Sequence, residues 1–130
     1  MPKSWRTDAQ QARSRETDRR IVAAAFALIG KHGFVGVPVG RVAKAAGVSI
    51  GGLYARYANK HVLVHAVDER LGREFEAALN AAMDPERLAG RNVAGVIEAY
   101  VTAMVRFFAK RRAIVRQVVL RARTSEDGLS

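Results

Sequence analysis

The chain has 130 residues, 49 % of them hydrophobic and 26 % charged, which fits an ordinary soluble domain or a small domain with part of a second. With no cysteine, disulfides, thiolate catalysis and cysteine-ligated metals are excluded, and no run of about 18 apolar residues offers a membrane span. The net charge of +10 is uneven: residues 1–60 carry eleven Lys or Arg against three acids (+8), and residues 61–130 carry eleven against nine (+2). A basic first half beside a near-neutral second half points to a nucleic-acid-facing module joined to something else.

In chain order, residues 1–16 are polar and basic with no apolar period and read as a flexible basic arm, assigned to residues 1–14. No apolar stretch precedes Ile21, so no secretory signal is read. Thr17 is a candidate N-cap for a first helix whose Ile21, Val22, Ala25, Leu28 and Ile29 recur at helical spacing. Gly33 is placed to end it. Pro38 suits the first position of a second helix, with Val39, Val42, Ala43 and Ala46 on its apolar face. Gly47 breaks that helix, and a third follows with Leu53 and Tyr57 inward. Two short helices joined by a glycine turn form the helix-turn-helix pattern, at about residues 38–57.

Asn59 is a good N-cap for a long fourth helix. Its Leu63, Val67, Leu71, Phe75 and Leu79 recur every four residues, a stripe that drifts around the axis and predicts burial against more than one neighbour. Asp84-Pro85 and Gly90 punctuate a connection. A fifth helix follows, with Val93, Val96, Ile97, Tyr100, Val101, Met104, Phe107 and Phe108 predicted inward. Ile114, Val115, Val118 and Val119 make a sixth, short face, and residues 124–130 read as a frayed tail. The fold class is all-α: a three-helix helix-turn-helix domain, a long connecting helix and part of a second helical domain. The domain limits are read as 15–75 and 76–130.

The stretch 47–60 carries the chemistry. Gly51 and Gly52 allow a close approach to DNA, at a cost in helix propensity of about 1 kcal/mol each. Tyr54 offers a phenol to a phosphate. Arg56 has the geometry to pair bidentately with phosphate or with guanine. Ser49 can cap the helix or donate to a phosphate, and Lys60 reaches a phosphate as a point charge. Tyr57 is read as a core aromatic.

The run from Thr17 to Lys60 resembles the N-terminal DNA-binding domain of TetR-type bacterial transcriptional regulators. The likeness rests on Thr17 before Ile21-Val22, Ala24-Ala25, Gly33-Phe34, Val39 with Val42-Ala43, Ala46-Gly47-Val48-Ser49, Leu53-Tyr54, Tyr57, and Asn59-Lys60 with Leu63. It implies a homodimer, or a heterodimer, on a palindromic double-stranded operator. It also implies repression released by a small-molecule effector, at the nucleoid in the cytoplasm. By position, the DNA-binding residues are Gly40, Arg41, Lys44, Ser49, Ile50, Gly51, Gly52, Tyr54, Ala55, Arg56 and Lys60. Gly40, Gly52, Ile50 and Ala55 depart from the polar readers common there, and Val37-Pro38 replaces the usual hydroxyl. Polar readout is therefore expected from Ser49, Tyr54 and Arg56, with Ile50 or Ala55 left to meet a thymine methyl. Regulators of this type run longer, so incomplete cover is expected over the apolar faces of the last helices. The alternative is a truncated DNA-binding or heterodimerising protein with no effector response.

Phe75, Tyr100, Met104, Phe107 and Phe108 are candidates for an effector pocket, although such residues at helical spacing equally fill a core. An enzyme is not expected. His61, His65 and Glu69 have metal-ligand spacing, but Val62 denies the chain the metalloprotease motif. No metal and no cofactor are expected. A basic architectural protein and a membrane-surface role for residues 106–123 are the other readings weighed.

Overall fold

The computed structural model describes the backbone of residues 3–127 and the side chains of residues 7–124. Among these, every regular element is an α-helix, and seven are formed: α1 (Lys3–His32), α2 (Val39–Ala46), α3 (Ile50–Arg56), α4 (Lys60–Ala82), α5 (Pro85–Leu88), α6 (Val93–Lys110) and α7 (Arg112–Asp127). They fall into two compact units, Met1–Val67 and Asp68–Ser130.

In the first unit, α1 begins at Lys3, so the arm expected over residues 1–14 is helical from residue 3, and residues 1 and 2 lie outside the described part. The physical reason lies in the composition. Residues 3–16 contain no Gly or Pro and are rich in Ala, Gln and Arg, good helix formers that need no apolar stripe. Thr17 is accordingly no N-cap: its hydroxyl donates to the Arg13 carbonyl one turn back at 2.9 Å. The helix ends at Gly33, whose φ of 82° places it in the left-handed region and whose N–H reaches the Ile29 carbonyl at 2.8 Å.

Helices α1 and α2 pack together around one core. Ile21, Ala25, Phe26 and Ile29 of α1 bury with Val37, with Val42, Ala43 and Ala46 of α2, with Leu53 of α3, and with Leu63, Val64 and Val67 of α4. Val22 and Leu28, expected in this core, are only half-buried, and Phe26 takes the inward position. Helix α2 is closed by Gly47 at φ 70°, with its N–H on the Ala43 and Lys44 carbonyls. The Val48 N–H returns to Ala43 O at 3.0 Å, so successive backbone bonds from Gly47 and Val48 close the turn into α3. The Asn59 side chain accepts from Val62 N at 3.0 Å and caps α4 as its position predicts.

The division between units falls within α4, at Val67/Asp68 rather than at 75/76. The last residue of α4 buried in the first core is Val67. From Asp68 onward α4 gains polar partners on the later helices: Asp68 pairs with Arg121 of α7, and Glu74 accepts from Arg111 in a two-point bond of 2.6 and 2.9 Å. Leu71, Phe75 and Leu79 are half-buried in this second unit. The connection between α4 and α6 contains one helical turn, α5, capped by Asp84. Asn92 caps α6 through Gly95 N at 2.9 Å. Helix α7 runs on to Asp127 where a frayed tail was expected. The Phe75, Phe107 and Phe108 rings pack together, Phe107 edge-on to both others at 5.2 and 5.7 Å.

The inward set expected on α6 is corrected by the structure. Phe107 is buried and Val96 and Met104 are half-buried, but Val93, Ile97, Tyr100, Val101 and Phe108 are exposed. Helical periodicity identifies an apolar face but not whether a neighbour covers it.

Candidate nucleic-acid interface

Helix α3 is seven residues long, too short to be stable alone. It is held by its cap, by Leu53 and by its last residue. Ser49 Oγ accepts from Gly52 N at 3.0 Å, and its hydroxyl proton remains available for a phosphate. Leu53 is 1 % exposed and anchors the inner side. Opposite it, Tyr54 is 45 % and Ile50 54 % exposed, and Gly51 and Ala55 are exposed with them. Arg41 and Lys44, one turn apart on α2, are also exposed. Gly40, near the start of α2, lies beside Ile50: a β-carbon at residue 40 would stand 3.5 Å from Ile50 Cδ1. Ile50 thus packs across the α2–α3 crossing while presenting its outer side.

The two glycines of α3 differ. A β-carbon on Gly52 would meet Ser49 Oγ at 3.0 Å, so this glycine makes room for the cap. A β-carbon on Gly51 would meet nothing within 4 Å, so no packing within the chain requires its absence.

Arg56 is placed differently from its expected role as a reader. Its Nη1 donates to the Ser14 carbonyl at 3.0 Å, to Ser14 Oγ at 2.9 Å and to Asp18 Oδ1 at 2.9 Å. The guanidinium therefore turns to α1. Ser14 and Asp18 were missed by sequence reasoning. They are one turn apart and share a face once residues 3–16 are helical, a signal lost when this segment is taken as an arm. Next to this contact, Tyr57 caps the C-terminal end of α3. Burial raises the phenol's pKa above its ordinary value, the Asp18 carboxylate adds to the rise, and Arg56 opposes it.

Lys60 stands in the first turn of α4, with Nζ 4.9 Å from the centroid of the Phe34 ring. Phe34, from the loop after α1, thus sets the direction of a cation whose stem is otherwise free to turn; the sequence marked Phe34 only as part of the family likeness. His61 lies beside the same ring at 6.1 Å. Among the described residues no group of three or more His, Asp or Glu side chains is placed to hold a metal. Nor is any helix there long and apolar enough to cross a membrane.

The electrostatic setting is one-sided. Between Asp18 and Asp68 the sequence contains no acid at all, and it contains Arg19, Arg20, Lys31, Arg41, Lys44, Arg56 and Lys60. The acid at the edge of this segment, Asp18, is the one that Arg56 holds. A helix-turn-helix with an acid-free basic surface is suited to a polyanion.

The family model of bacterial regulatory proteins of the tetR family matches residues 21–67. Through this segment the chain is similar to regulators of the tetR family. The match covers the second half of α1, all of α2 and α3, and α4 as far as the last residue buried in the first core. The HTH-type transcriptional repressor KstR of Mycolicibacterium smegmatis (strain ATCC 700084 / mc(2)155) is 40 % identical over 76 residues, 58 % of this chain and 35 % of the relative. The aligned part thus spans about a third of that relative's length. No solved structure matches the chain.

In the second unit, a groove of about 770 Å³ is lined by residues of α5, α6 and the end of α4, including Arg87, Arg91, Arg106 and Glu98. An adjoining groove of about 510 Å³ has Ala77, Ala78, Ala81 and Ala103 in its wall, with Phe107 and Arg106. Of the expected effector residues, Phe107 lines this groove, and Phe75 and Phe108 pack against Phe107. Met104 is half-buried, and Tyr100 is exposed on α6.

Proposed function

We propose that this chain is a DNA-binding transcriptional regulator that represses by occupying a palindromic duplex as a dimer. The observation carrying this reading is the exposed set on the α2–α3 pair: Arg41, Lys44, Ser49, Tyr54 and Gly51, within an acid-free segment. Helix α3 would lie in the major groove with its first turns toward the bases. Ser49 and Tyr54 would supply polar contacts, Ile50 or Ala55 would meet a thymine methyl, and Arg41, Lys44 and Lys60 would bind phosphates. The likeness to a protein described as a transcriptional repressor supports repression as the sign of regulation.

Selection of bound duplexes from a random-sequence pool, followed by anisotropy titration over a salt series, tests this reading. Enrichment of a two-fold symmetric consensus, with affinity falling steeply as salt rises, is the expected result. Salt-sensitive binding without a consensus would replace the regulator with an architectural protein.

Release by a small molecule would act through the second unit. The larger groove there holds three guanidiniums, from Arg87, Arg91 and Arg106, against one carboxylate, Glu98, a balance that selects an anion. The expected effector is an anion with an apolar part that lies along the alanines and Phe107 of the adjoining groove. Calorimetric titration with carboxylate- and phosphate-bearing amphiphiles should give binding that Arg106→Ala weakens. Equal binding of neutral analogues would refute the anionic preference.

A further inference from the structure

We infer that Arg56 is a positioning residue, which locks the end of α3 to α1, and not a DNA-reading residue. The inference rests on the DNA-binding reading for its consequence and on geometry for its mechanism. Arg56 is the last residue of α3, separated from Ser14 by 42 residues and from Asp18 by 38. One nitrogen faces three acceptors at 2.9–3.0 Å: a backbone carbonyl, a hydroxyl and a carboxylate. Since Nη1 carries two protons, at least one is shared. The set combines an ion pair with two neutral acceptors on one turn of α1, and charge-assisted bonds of this kind are directional as well as strong.

A seven-residue helix needs such a device. Its N-terminal end is fixed by the hydrogen-bonded glycine turn and the Ser49 cap, and its middle by Leu53. Without Arg56, the C-terminal end of α3 would be held only by the half-buried Tyr57 and the short link to α4, and the helix would be looser about Leu53. Rotation about that point would move Tyr54 and Ala55. Beside this contact, Arg56 also borders an open groove lined by Thr7, Gln10, Gln11, Arg13, Ser14 and Thr17 of α1. The early part of α1, outside the segment matched by the family model, thereby acts on the recognition helix.

The sign of one substitution separates positioning from reading. Asp18→Asn removes a negative charge from the edge of a basic surface. If Arg56 contacts DNA, that change frees the guanidinium and tightens binding, with a steeper salt dependence. If Arg56 positions α3, the same change loosens the lock and weakens binding. The experiment measures anisotropy of a fluorescein-labelled duplex, enriched by selection or taken as a random pool, over a salt series well below the melting temperature. The proteins are wild type, Arg56→Ala, Arg56→Lys, Asp18→Asn and the Arg56→Ala/Asp18→Asn double variant.

Arg56→Ala and Asp18→Asn are each expected to weaken binding by about tenfold, the scale of one well-placed contact. The double variant should be no weaker than Arg56→Ala, and the slope of log K on log salt should be unchanged. Arg56→Lys, able to pair with Asp18 but lacking the fork, should fall between. A slope smaller by about 0.9 for Arg56→Ala, tighter binding by Asp18→Asn, or additive losses would each overturn the proposal. If the wild type binds no duplex at any salt, the functional reading fails separately. Melting of the same variants then decides the lock: non-additive shifts for Arg56→Ala and Asp18→Asn support it, and additive shifts overturn it.

Discussion

Gly51→Ala is the most informative single change on α3, because stability and binding are expected to move in opposite directions. Gly51 has no positive φ, and the added β-carbon meets nothing within 4 Å. Alanine therefore brings only its helix propensity, about 0.5–1 kcal/mol near a helix start. For a chain of this size that raises the melting temperature by about 2–4 °C. Gly52→Ala is the matched control. It brings a similar propensity gain, but its β-carbon lies 3.0 Å from Ser49 Oγ and disturbs a cap worth about 0.5–2 kcal/mol, so its net effect is neutral or destabilising. If α3 approaches DNA closely at Gly51, the Gly51→Ala methyl costs about 1.4 kcal/mol, a tenfold loss of affinity. Thermal melting followed by CD gives the first quantity and anisotropy the second. A more stable Gly51→Ala protein that binds as tightly as wild type would refute the close approach. A less stable one would refute the open space around residue 51.

The other predictions concern the supports of the site and the second unit. The Tyr57 phenol has a folded-state pKa above its unfolded value of about 10. The stability tied to the neutral phenol is complete below the unfolded value and lost as pH rises through the folded one. Tyr57→Phe should therefore flatten the alkaline limb of the stability profile, as read by melts above pH 9; an unchanged limb would count against it. Phe34→Leu keeps apolar bulk but removes the ring under Lys60, a contact of about 0.5–1 kcal/mol. It should weaken binding to all duplexes about equally in anisotropy titrations, by less than Lys60→Ala does. Arg111→Ala removes the two-point bond to Glu74 and should lower stability by about 1 kcal/mol in urea melts, given that both side chains are partly exposed. No change would mean that the pair adds nothing in water.

How much of this was legible in the sequence depended on whether a signal was local. The α2 terminator at Gly47, the Ser49 and Asn59 caps and the inward Leu53 are each read from residues within one turn of where they act, and the structure shows all of them. The first half of α1 was misread because apolar period was the criterion. A solvated helix built from Ala, Gln and Arg has none, and its stability comes from propensity and from its continuation into Ile21–Ile29. That error hid the partner of Arg56, since Ser14 and Asp18 share a face only when both are helical. On α6 the reverse happened. The period was present and the cover was not, because burial depends on what is packed outside the helix.

The placement of Arg56 also changes how affinity and specificity divide on this surface. With its guanidinium held by α1, the exposed polar side chains at α3 are those of its cap, Ser49, and of Tyr54, and the phosphate contacts proposed above come from Arg41 and Lys44 of α2 and Lys60 at the start of α4. Cations so placed bind any duplex and give a salt-dependent affinity. Neither a serine nor a tyrosine provides the bidentate pairing with guanine that an arginine does. On the proposed reading, discrimination among sequences would then be left to apolar contact by Ile50 or Ala55, to the close approach at Gly51, and to the shape of the duplex. A surface of this composition should tolerate single base changes at most positions of its site. It should be most sensitive where a thymine methyl or a narrow groove is lost.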